Sequence, residues 1–246
     1  MNKSPAAYII TNMVLEIFLK KRWLELGMAL LLLGGVYFLA GKGAQIVNVQ
    51  KNNEKTIVLD AGHGGDDPGK IGINQVKEKD LNLIITGKVK KELEEKGYTV
   101  IMTREDDRGL YEEGSQNHKV QDLQNRVELI HKAAPVCAVS IHQNSYSEES
   151  VKGAQVFYYA DSVKGKKLAE ELQKSLITEV DPENHRQAKG NTSYYLLKKT
   201  DVPLTIVECG FLSNWEEAEL LTDNTYQDKL AEAICHGIES YLAGEK

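Results

Sequence analysis

From Thr56 onward the chain alternates short apolar runs with longer segments whose apolar residues recur at helical spacing. The first run, Ile57 to Leu59, has the continuous hydrophobicity of a buried strand. Residues 78–96 read as a helix, with Leu81, Ile84, Ile85, Val89 and Leu93 on one face and Gly97 as a stop signal. Strands are expected at 99–103, 136–141, 154–159, 194–197 and 205–207, and helices at 122–134, 162–177, 214–221 and 225–242. Residues 104–119, charged and carrying Gly109 and Gly114, read as a loop. Strands that lack strict alternation and are separated by helices imply a mostly parallel sheet covered by helices on both faces, the architecture of a single α/β domain.

The N-terminal pattern is different. Residues 23–40 hold 18 residues with one charge, Glu25, close to the roughly 20 that a membrane-spanning helix needs. Lys20, Lys21 and Arg22 precede this run and only Lys42 follows closely, which predicts a cytoplasmic segment at 1–22 and export of everything after residue 40. An uncleaved transmembrane anchor is expected; a cleaved signal peptide is the rival, with small-residue cleavage positions poorly placed. Residues 41–55 are polar and read as a linker, leaving 56–246 as the folded domain.

Composition removes some function classes. A formal net charge of −6 with no dominant basic stripe argues against nucleic-acid binding. Cys137, Cys209 and Cys235 are too scattered for a disulfide framework and show no C-x-x-C pair, so buried free thiols are expected.

The candidate chemistry begins at 56–65, where the first strand breaks into Gly62, Gly64 and Gly65 around His63. A dinucleotide cradle is excluded because Asp67 occupies the place of the third glycine of G-x-G-x-x-G. In open α/β sheets, sites form at the carboxyl ends of the strands. His63, His142 and Glu208 follow three such strands, and Glu78 begins the first helix. Two histidines with one carboxylate are the ligand set of many catalytic zinc sites, and a further carboxylate can act as base toward water. Each also has an ordinary reading: Glu78 suits the positive end of a helix dipole, and His142 suits a strand-end histidine bonded to backbone. Glu208 is harder to explain that way, since a carboxylate after Leu-Thr-Ile-Val needs a partner. For His118, His131, His185 and His236 a surface or packing role is the default.

Six segments resemble the zinc-dependent N-acetylmuramoyl-L-alanine amidases of the type-3 amidase family: Leu-Asp-Ala-Gly-His-Gly-Gly (59–65), Glu-Lys-Asp-Leu-Asn-Leu (78–83), Val-Ile-Met-Thr-Arg (100–104), Leu-Gln-Asn-Arg-Val (123–127), Ser-Ile-His-Gln-Asn-Ser (140–145) and Val-Glu-Cys-Gly-Phe-Leu-Ser-Asn (207–214). The resemblance spans about residues 56–241. It implies that His63, Glu78 and His142 bind Zn2+, and that Glu208 is the catalytic glutamate in hydrolysis of the bond between muramic acid and L-alanine in peptidoglycan. Arg104 and Asn144 match family motif positions near the site, either binding substrate or supporting loops, with Arg104 leaning to support. The bare catalytic domain behind an N-terminal anchor, with local runs at 153–159, 186–189 and 195–198, is similar to the sporulation amidases. Those prepare spore-cortex peptidoglycan for muramic-δ-lactam formation, between the forespore membranes, and some rely on an activating protein partner. The competing readings are a non-catalytic peptidoglycan-binding scaffold and another zinc hydrolase, such as a deacetylase.

Overall fold

A sheet of six strands runs in the order β2-β1-β3-β6-β4-β5 through the C-terminal part of the chain. The computed structural model describes residues 55–245, together with residues 21–23, 27–28, 32–35 and 37–38. The segment expected at 1–22 and the linker at 41–55 thus lie almost wholly outside the described residues, as does half of the span expected at 23–40. Those of the span that are described are helical, and among the described residues no helix is long and apolar enough to cross a membrane.

The strands are β1 (Thr56–Ala61), β2 (Thr99–Met102), β3 (Cys137–Asn144), β4 (Gln155–Tyr159), β5 (Lys189–Asn191) and β6 (Leu204–Phe211). The helices are α1 (Glu78–Glu95), α2 (His118–Ala133), α3 (Val163–Glu179), α4 (Tyr195–Lys199), α5 (Trp215–Leu220) and α6 (Asn224–Gly244). Strands β2, β1, β3 and β6 are mutually parallel, and β4 runs antiparallel to β6. The fold is therefore the expected α/β domain with a mostly parallel sheet.

Strand periodicity divides the core in two. Ile57 and Leu59, Cys137, Val139 and Ile141, and Val207 and Cys209 point to one face, where they pack with Leu81, Ile85, Val89, Leu168, Leu172 and Ile234 of α1, α3 and α6. Val58, Ala138, Phe157, Leu204 and Ile206 point to the other, against Ile130, Leu196 and Leu197 of α2 and α4. Helices thus cover both faces. All three cysteines are buried and free.

Two local expectations fail. The strand expected at 194–197 is helix α4, because Leu196 and Leu197 both turn inward onto the second core, as adjacent residues can on a one-turn helix but not on a strand. The three-residue strand β5 was not foreseen, since Lys-Gly-Asn carries no strand propensity and is held only by pairing with β4.

On the second face, the carboxyl end of β1 carries a buried charge. Asp60 is 1 % exposed and accepts hydrogen bonds from Arg126 of α2 (2.6 Å), Thr103 Oγ1 (2.7 Å) and Ser140 Oγ (2.5 Å). Burial alone would raise its pKa. The Arg126 guanidinium and the two hydroxyls outweigh that and bring it down to about 2, from 3.8. A depressed carboxylate contributes stability that is fully present above its unfolded value and is lost as pH falls through its folded value. Between about pH 4 and about pH 2 the wild-type chain is expected to lose roughly 2 kcal/mol more stability than Asp60→Asn. Urea unfolding across that range checks it.

Candidate active site

The catalytic candidates converge because of strand register. His142 on β3 lies directly opposite Glu208 on β6, with a register irregularity immediately after, between His142 and Asn144. Both side chains fall on the second face of the sheet by alternation with Ser140 and Ile206. Neither strand stops at its site residue: β3 continues to Asn144 and β6 to Phe211. Glu78 arrives from the opposite layer, as the first residue of α1.

The Gly-rich turn after β1 supplies the third side. His63 adopts φ 61°, a left-handed conformation that costs a non-glycine residue on the order of 1–3 kcal/mol and requires surrounding structure to hold it. The glycines beside it are needed for space. A Cβ on Gly62 would stand 2.2 Å from His142 Nε2, and one on Gly69 would stand 2.5 Å from Glu78 Oε2.

Glu78 Oε1 is the focus of the cluster, 3.1 Å from His63 Nε2 and 2.9 Å from His142 Nδ1. The two imidazoles meet edge to face with centroids 4.9 Å apart. His63 Nδ1 lies 2.9 Å from Asp67 Oδ2. With that carboxylate as acceptor, a proton sits on Nδ1 and leaves Nε2 as the atom that would ligate a cation, the arrangement that orients ligating histidines. Glu78 is itself supported: the Lys70 amide donates to Oε2 (2.8 Å), and the Gln143 amide (3.2 Å) and Asn82 Nδ2 (3.4 Å) donate to Oε1. One donor atom from each of His63, Glu78 and His142 lies within 4.8 Å of the others, so the three can hold a metal ion, and they are the one such group among the described residues. Two neutral imidazoles and a carboxylate fit a zinc ion with an open position for water.

The electrostatics follow from this packing. Burial opposes ionisation of Glu78, but hydrogen bonds and charge from His142 and His63 outweigh it and hold its carboxyl well below the usual carboxylate range. Burial likewise opposes protonation of His63, yet Glu78 and Asp67 raise its pKa. A cation held between them would take over the role of those protons. Glu208 differs. It is 8 % exposed, its Oε2 has no hydrogen-bond partner among the described residues, and burial, with help from the Glu78 charge, pushes its pKa up to about 7. A carboxylate desolvated to that degree is poised to exchange a proton near neutrality.

The remaining sequence candidates divide. Asn144 joins His63, Glu78, His142, Tyr194 and Glu208 in the wall of an open cleft of about 600 Å³. Arg104 is only 5 % exposed and spends its guanidinium on backbone carbonyls of Ala61 (2.9 Å), Gly62 (3.0 Å), Lys79 (2.8 Å) and Asp106 (2.9 Å). It supports loops and does not face the cleft. His118 sits closer to the chemistry than its loop position suggested. It stacks on Tyr111 with centroids 4.1 Å apart, bonds Asp66 (2.9 Å), and lines a second cavity that also touches His63 and His142. Asp67, the partner of His63, carried no sequence signal apart from its spacing of four residues from the histidine.

Comparison with known proteins decides what this arrangement belongs to. Residues 57–240 match the family model for N-acetylmuramoyl-L-alanine amidase. The chain belongs to that family. The amidase domain is 39 % identical over 191 residues to the germination-specific N-acetylmuramoyl-L-alanine amidase of Bacillus subtilis, covering 76 % of this chain and 80 % of that one. It is 29 % identical to the N-acetylmuramoyl-L-alanine amidase AmiA of Escherichia coli, over 78 % of each chain. Its fold superposes on the CwlD amidase of Clostridioides difficile, solved in complex with the GerS lipoprotein, with a TM-score of 0.75 and 44 % identity, covering 77 % of this chain and 99 % of that one.

Because the Gly62 position is filled by the His142 ring, Gly62→Ala is expected to displace that imidazole. The amidase domain should lose about 1–3 kcal/mol, as overpacked cores do. Denaturant unfolding against wild type measures it.

Proposed function

We propose that this protein hydrolyses the amide between the lactyl group of N-acetylmuramic acid and L-alanine in peptidoglycan, using zinc held by His63, Glu78 and His142, with Glu208 as the catalytic carboxylate. The observation that carries this reading is the pairing of a converging His-Glu-His group with a desolvated, unpartnered glutamate across one strand pair, in a chain of this family.

A zinc ion in that group supplies Lewis acidity at the scissile carbonyl and lowers the pKa of a water beside it. Asp67 holds the His63 ring, and the amides of Lys70 and Gln143 hold the Glu78 carboxylate, in the positions from which they would ligate the ion. Glu208 accepts the proton of the attacking water and delivers it to the departing amine of alanine, two transfers that suit a group with a pKa near neutrality. Asn144 lines the same cleft, which supports a role for its side chain in hydrogen-bonding the substrate.

The biological setting we propose is maturation of spore-cortex peptidoglycan, as a step toward muramic-δ-lactam. The similarity to a germination-specific amidase and to CwlD supports it. The apolar run at 23–40 supports anchoring in the cytoplasmic membrane, with the catalytic domain outside it. That CwlD was solved with a lipoprotein supports the search for a protein partner here.

Glu208→Gln is expected to keep zinc and fold while losing about 10²–10⁴-fold in rate, the usual share of general acid–base catalysis. Appearance of free amino-terminal alanine from muropeptides is the assay. Wild-type rate in the variant overturns the role of Glu208, whereas released acetate in place of alanine overturns the amidase reaction in favour of a deacetylase.

A further inference from the structure

Arg126 is 2 % exposed and lies behind the site, on α2. All five of its N–H groups are committed. Nε donates to Asp122 Oδ2 (2.5 Å), Nη1 to Asp60 Oδ1 (2.6 Å) and Ala61 O (2.8 Å), and Nη2 to His63 O (2.6 Å) and Asp122 Oδ1 (3.2 Å). Two carboxylates therefore fix the plane of the guanidinium, and its remaining two donors bridge the carbonyls on either side of Gly62. The intervening carbonyl, Gly62 O, is taken by Arg104 Nη2 (3.0 Å) and Asn82 Nδ2 (3.0 Å). Three successive peptide oxygens are thus tied down from behind the turn, leaving the His63 side chain directed at Glu78.

The His63 carbonyl is the decisive one. The orientation of the peptide between His63 and Gly64 goes with the left-handed φ of His63, and a side chain other than glycine leaves that region when nothing holds it. A planar fork with five donors can bridge two carbonyls and two carboxylates together; an ammonium with three donors on a flexible stem cannot. We propose that Arg126 is a positioning residue for the metal centre, setting zinc affinity by locking the His63 backbone through its carbonyl. This inference rests on the metal reading above and gives Arg126 no contact with substrate or metal.

The test is equilibrium titration of the full chain in mild detergent with Zn2+ against a competing chelator, for wild type, Arg126→Lys and Asp122→Asn. The Co2+-loaded proteins add an absorption spectrum that reports ligand geometry. With Arg126→Lys, affinity is expected to fall about 10–100-fold, the range for lost outer partners of a ligating histidine, and the Co2+ bands to shift. Circular dichroism and the melting temperature of metal-free protein verify that the folded state is populated, so a purely structural role would leave affinity and spectrum unchanged. A folded Arg126→Lys with wild-type affinity and spectrum overturns the proposal. If that variant does not fold, Asp122→Asn decides: it keeps the guanidinium but frees its plane. A loss of 5-fold or more, on the order of 1 kcal/mol, supports positioning, and wild-type affinity overturns it. Wild-type protein that takes up no Zn2+ overturns the metal reading itself, a result distinct from equal binding by all three proteins.

Discussion

The site depends on the pairing of β3 with β6. Parallel strands in register place His142 opposite Glu208, and strand alternation puts both on the face that also carries Asp60 and Ser140. A slip of one residue would send one of the two to the opposite face, into a core lined by Val139, Ile141, Val207 and Cys209. Register here is held by those apolar neighbours: each strand must keep its odd-numbered residues under α1, α3 and α6. The hydrophobic pattern that stabilises the sheet therefore also aligns the two side chains proposed to meet at the substrate.

The third partner, Glu78, enters from a different layer, which makes the cluster a junction between elements far apart in sequence. Such a junction needs buried charge, and the chain supplies compensation near it: Asp60 with Arg126 on one side, and Glu78 between two histidines on the other. Among the described residues, Glu208 Oε2 in the same cleft is left without a hydrogen-bond partner. The contrast is physically informative, because a carboxylate whose pKa burial lifts to about 7 and one held ionised by neighbours can perform different tasks within one cleft.

Much of this was legible in the sequence. The alternation of apolar runs and helical periods implies the sheet and its two helical layers, and the strand-end rule singles out His63, His142 and Glu208. What escaped was of two kinds. Tyr195–Lys199 and Lys189–Asn191 are short elements whose conformation comes from tertiary contact, Leu196 and Leu197 filling the second core in one case and pairing with β4 in the other. His118 and Arg126 act through partners remote in sequence, and Asp67 through a nearby histidine in a loop of ordinary composition. An aspartate in a loop, a histidine at a helix start and an arginine on a helix face look alike whether they are solvated or committed.

Among the described residues, the sheet ends on both sides in short strands. β2 offers four residues and β5 three, while the longest strands, β3 and β6 at eight residues each, are enclosed. Brief edges give an incoming strand little backbone to zip against. That geometry is a built-in safeguard against edge-to-edge association between copies of the domain.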